Sequence, residues 1–142
     1  MSSMSLFQLV ILIPAVAAAA VFDWRERRIP NPLCLAIAIA GVAVCGIEWG
    51  AGRAWSGLGT GLLGALACSP LYALRGITAG DVKLIAATSV WWTVSQLLIA
   101  LAAIALCGAV LAVGYLCFSR GATHIPYAVA IAGSTVATVL VS

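Results

Sequence analysis

LIAATSVWWTVSQLLIALAAIALCGAVLAVGYLCF, residues 84–118, contains no charged side chain, and the way it is divided decides the fold. A helix crosses a hydrocarbon core of roughly 30 Å in about 20 residues at 1.5 Å each, so this run is too long for one crossing. Its most polar point is Ser95 with Gln96, and dividing it there gives two helices, the first of them short. A kinked, tilted or partly re-entrant short helix is compatible with the same residues, provided protein or a water-filled cavity surrounds any irregular backbone.

Outward from that run the pattern repeats. The 142 residues are 64% hydrophobic and 8% charged, which excludes an ordinary soluble domain and indicates a membrane protein. Spans are expected at about residues 5–22, 33–47, 56–74, 82–94, 97–118 and 125–141. The fold class is therefore all-α, a single polytopic domain over residues 1–142, built as a bundle of about six transmembrane helices with short loops between antiparallel neighbours. Ala17 to Ala20 resemble a signal-peptidase site, but no basic residue precedes the first apolar run, so it is read as a retained span. Gly57 and Gly61 in the third span have the small-x-x-x-small spacing that lets helix backbones approach closely.

Six spans put Arg25, Arg27, Arg28, Arg75, Lys83 and Arg120 in loops on one side and Arg53 alone on the other. Cationic loops stay in the cytoplasm, so that side is cytoplasmic and both termini lie outside. The formal charge of +3 comes mostly from these arginines and fits anionic lipid headgroups; it gives no support for nucleic-acid binding. Trp91 and Trp92, with Trp49 and Trp55, are expected in an aromatic belt at the outer interface. Cys34, Cys45, Cys68, Cys107 and Cys117 form no Cys-x-x-Cys pair and read as small buried hydrophobes. The single histidine, His124, has no ligand partner in sequence and is read as loop structure.

Only four acids are present: Asp23, Glu26, Glu48 and Asp81. The two aspartates each sit where an apolar run meets a polar loop, on the same expected side of the membrane. Each has a plain structural explanation. Asp81 is a suitable N-cap for a helix starting near Val82, with Gly80 allowing an unusual turn before it. Asp23 can pair with Arg27 four positions on. Taken together they fit a different arrangement, two carboxylates sharing one proton, in which one remains protonated as acid while the other acts as base. Pro30 and Pro32 stop the first helix before Ile29 and suit the start of the second, leaving Asp23 near a helix end.

At these residues the chain resembles the prepilin peptidases, polytopic aspartic proteases that remove leader peptides from type IV prepilins. The matching pieces are Asp23 followed by Arg28-Ile29-Pro30-Asn31, the block Gly80-Asp81-Val82-Lys83-Leu84, and Ile125-Pro126-Tyr127 opening the last span. The resemblance covers nearly the whole chain, and its short length is similar to the compact subgroup serving tight-adherence, Flp-type pili. It implies that Asp23 and Asp81 are the catalytic pair, with Gly80, Lys83, Pro30, Asn31 and Pro126 as supporting motif positions. It implies a substrate, the short basic prepilin leader, cut at the cytoplasmic face of a bacterial inner membrane, with no cofactor or metal. One position departs from the family's Gly-x-Gly-Asp motif: its first glycine is Thr78 here. The Cys-x-x-Cys domain of the long, methylating members is missing, so cleavage without methyl transfer is expected. Two readings from other classes are a small proton- or ion-coupled transporter and a noncatalytic subunit of a pilus or secretion assembly. A transporter would be supported by a mid-span carboxylate or an inverted repeat, and neither is evident.

Overall fold

The computed structural model describes residues 5–26, 28–118 and 127–141, and within them six helices follow one another. They are α1 (Leu6–Glu26), α2 (Asn31–Trp49), α3 (Ala51–Ala73), α4 (Ala79–Ser89), α5 (Val94–Phe118) and α6 (Tyr127–Val141). Three of them, α1, α2 and α5, are long and apolar enough to cross a membrane, and α6 is a shorter apolar helix. The distribution of side chains is the reverse of a soluble protein's. Large apolar residues such as Leu6, Ile47, Leu98, Leu106 and Leu140 face outward, while Thr60, Thr88, Gln96, Ser134, Thr135 and Thr138 are buried. An apolar exterior of this extent is a lipid-facing surface.

The connections are short because each end carries its own stop signal. Between α2 and α3 stands only Gly50, at φ 84°, a backbone conformation open to a residue without Cβ. At the end of α3 the chain closes a Schellman motif, with Gly76 N–H donating to Leu71 O at 2.8 Å and Arg75 N–H to Tyr72 O at 3.0 Å. Arg75 occupies its left-handed position (φ 59°), where glycine is usual.

The charge-free run divides as expected into two helices, but the division lies at residues 90–93 and not at Ser95 with Gln96. Those two belong to the first turn of α5. Gln96 Oε1 accepts from the Thr93 N–H and hydroxyl, both at 3.0 Å, and Gln96 N–H points back to Thr93 Oγ1 at 3.4 Å. This is a capping box, so the polarity of Gln96 marks where α5 begins. The eleven residues of α4 reach only about 16 Å.

This short helix is enclosed by the others. It packs against α3 and α2 along one side and touches α6 and α1 along the other, while α5 covers α6. The glycine spacing of α3 is what admits it. A Cβ on Gly57 would stand 2.8 Å from the Val90 carbonyl oxygen, and one on Gly61 would stand 2.9 Å from Val90 Cγ2. A Cβ on Gly64 would strike the Ser89 hydroxyl. Close approach of this kind supplies the van der Waals contact that holds helices together where burial from water does not. Gly57→Ala is therefore expected to cost about 1 to 2 kcal/mol, because the obstructing atom is backbone. Gly59 faces open space, so Gly59→Ala should gain up to about 1 kcal/mol in helix propensity. Reversible unfolding in mixed micelles measures both, and equal effects at the two positions would contradict this packing.

Trp91 and Trp92 depart from the expected belt. Both are 1% exposed, whereas Trp49 and Trp55 do lie on the surface. The Trp91 indole N–H donates to Ile37 O at 3.1 Å and lies over Gly41, so the end of α4 is anchored to α2. From α3, Arg53 Nη2 donates to Trp91 O at 3.2 Å, placing a cation just beyond the C-terminal end of α4.

Candidate active site

Asp23 lies in the last turn of α1 and Asp81 in the first turn of α4; they are 5% and 2% exposed. Buried carboxylates need donors, and each finds them at the N-terminus of a helix. Asp23 Oδ2 accepts from Ala128 N–H at 3.2 Å, so α1 supplies the acid that caps the start of α6. Asp81 Oδ2 accepts from the Thr78 N–H at 2.9 Å and from the Thr78 hydroxyl at 2.7 Å. The same hydroxyl accepts Asp81 N–H at 3.3 Å, which completes a capping box. The N-cap is thus Thr78 and not Asp81, and the helix opens at Ala79, three residues earlier than expected.

Gly80 also differs from its expected role. It lies inside α4 and is not among the positive-φ residues, so it supplies no unusual turn. Its missing side chain leaves room for Ile29, whose Cβ would be 3.6 Å from a Cβ placed there. That contact joins the loop after α1 to the start of α4. A second link lies beside it, where Lys83 Nζ donates to Asn31 Oδ1 at 3.1 Å, tying α4 to the first residue of α2. Pro30 is the N-cap of α2, in extended conformation at φ −62° and ψ 129°. Of the supporting motif positions, Pro30, Asn31, Gly80 and Lys83 therefore meet at one end of the bundle. Pro126, His124, Arg120 and Arg27 lie outside the described residues, and with Arg27 the expected Asp23 pairing.

The first turn of α6 links the two aspartates. Ala128 holds Asp23, and the neighbouring Tyr127 lies within Coulombic reach of Asp81 and of Cys68. The Tyr127 ring is seated against Gly108 of α5, where any Cβ would collide with it. Cys34 of α2 and Cys68 of α3 also lie within the field of Asp81, and both are buried free thiols. Tyr127 was named in the sequence only as part of Ile-Pro-Tyr, and its neighbour Ala128 gives no chemical signal at all. The Thr78–Asp81 box was readable as Thr-x-x-acid ahead of an apolar run.

Depth follows from the helix lengths. Asp81 is the third residue of α4. Asp23 is three residues from the end of α1. Beside α4 an apolar groove of about 580 Å³ runs between α2, α3 and α4, with Asn31 and Lys83 the polar residues lining it.

Residues 10–113 match the model of the type IV leader peptidase family. No curated protein and no solved structure matches the chain.

Proposed function

Since the chain belongs to the type IV leader peptidase family, we propose that it removes the short basic leader from Flp-type prepilins at the cytoplasmic face of a bacterial inner membrane, using Asp23 and Asp81 as its two catalytic carboxylates. The observation that supports this most is the linkage through α6: two buried acids, one bonded to Ala128 and the other within electrostatic range of its neighbour Tyr127. A membrane protein with so few charges has little other reason to bury two carboxylates near a common helix start. One aspartate, ionised, takes a proton from a water whose oxygen attacks the scissile carbonyl. The partner, protonated, donates to the carbonyl oxygen and then to the departing amine as the C–N bond breaks. The products are a leader with a new carboxyl terminus and a pilin with a new amino terminus.

The cytoplasmic orientation is supported by the loop charges, with arginines and Lys83 gathered at the aspartate end and Arg53 at the other. The test uses membrane vesicles of both orientations and an added prepilin. Inverted vesicles should shorten the prepilin, sealed right-side-out vesicles should not, and mass spectrometry of the product should find its new N-terminus unmethylated even with a methyl donor present. Cleavage confined to right-side-out vesicles would overturn the orientation, a methylated product the restriction to cleavage, and no cleavage in either the peptidase reading.

A further inference from the structure

The family motif has glycine where this chain has Thr78, yet Thr78 makes three hydrogen bonds with Asp81. A carboxylate offers about four lone-pair positions, two on each oxygen. Both positions of Asp81 Oδ2 are used, one by the Thr78 N–H at 2.9 Å and one by its hydroxyl at 2.7 Å. The hydroxyl's own orientation is fixed in turn, because it accepts Asp81 N–H at 3.3 Å. We infer that Thr78 is a positioning residue for the reaction, holding the Asp81 carboxylate in one orientation through Oδ2.

The role of this carboxylate in catalysis rests on the peptidase reading; the hold of Thr78 on Asp81 does not. The ionisable groups near this end of the elements packed around Asp81 include Asp23 on α1, Cys34 on α2, Cys68 on α3, Lys83 on α4 itself and Tyr127 on α6. All of these remain when Thr78 is changed, so a shift seen in Thr78 variants belongs to the lost donor. Thr78→Gly keeps the backbone N–H and a residue acceptable at an N-cap, and removes the hydroxyl together with the rest of the side chain. Thr78→Ser keeps both donors.

The experiment titrates the ¹³C-carboxyl resonance of Asp81, assigned by its absence in Asp81→Asn, with the full chain in lipid nanodiscs. A donor to the ionised form favours that form, so its loss moves the midpoint upward. Thr78→Gly should raise it by about one unit, the size expected of one hydrogen bond to a charged group. Thr78→Ser should restore the wild-type midpoint. The pH profile of prepilin cleavage should shift the same way in Thr78→Gly, with about a tenfold loss at the wild-type optimum, and serine should rescue it. An unmoved midpoint in Thr78→Gly, or serine behaving like glycine, would overturn the inference. Because the titration needs no substrate, it decides the hold of Thr78 on Asp81 even if the wild-type chain cuts no leader, a result that would instead remove the peptidase reading.

Discussion

Asp23→Asn and Asp81→Asn should each reduce prepilin conversion to less than about one-thousandth of the wild-type rate, with the protein still inserted and folded. The fold should survive because asparagine keeps an acceptor oxygen of nearly the same size. At position 23 that oxygen can still take Ala128 N–H, and at position 81 it can still take the Thr78 N–H and hydroxyl. What the amide loses is the capacity to accept a proton from water or share one with a partner. Residues acting in one chemical step give non-additive losses, so the double variant should be hardly worse than either single one. Glu26→Gln and Glu48→Gln serve as controls: both residues are exposed, and Glu48 is occupied by the Ser5 hydroxyl at 2.7 Å and 2.9 Å, at the end of α2 far along the chain from either aspartate. The measurement is conversion by purified variants in liposomes, together with their membrane level. Substantial processing by either aspartate variant, or an equal loss with Glu48→Gln, would end the case for a two-aspartate protease.

The second large effect is structural. Trp91→Ala should destabilise the bundle by about 3 kcal/mol, the low end of the range for emptying a large aromatic site. The low end applies because moving apolar atoms between protein and lipid has little transfer energy, leaving the cavity and lost contacts. The bond to Ile37 O disappears as well, and with it the hydrogen bond that ties this end of α4 to α2. Trp55 is 73% exposed, and Trp55→Ala should stay within about 0.5 kcal/mol. Unfolding in mixed micelles compares the two directly. A Trp91 variant as mild as the Trp55 variant would mean that α4 is not anchored at this end.

These tryptophans show where sequence reading reaches its limit. Aromatic residues next to a helix end look alike whether they face headgroups or a neighbouring helix, and only packing against Gly41 separates the two cases. Helix content was legible because apolar runs of this length have few other solutions, and the aspartates stood out because acids are so scarce. The glycine spacing of α3 was also legible, since steric need for close approach leaves a periodic trace. The start of α4 was misplaced although its signal was present. Thr78 to Asp81 and Thr93 to Gln96 both follow the capping-box pattern, and attention to Asp81 as a possible cap obscured Thr78 as the actual one. The bond from Ala128 to Asp23 spans most of the chain and rests on a backbone amide, so no side-chain pattern announces it.

The brevity of α4 also bears on how the protein is made. Eleven residues that include Asp81, Lys83, Thr88 and Ser89 are too few and too polar to be recognised as a membrane segment during synthesis. The charge-free α5 that follows has ample hydrophobicity, so α4 must enter the bilayer behind it, as the leading arm of a hairpin. Asp81 has its donors from Thr78 within its own helix start, but until α6 brings Ala128 to Asp23 that acid lacks the N–H it accepts from. Biogenesis thereby imposes an order on assembly: the two acids reach their final setting only when the last helix docks.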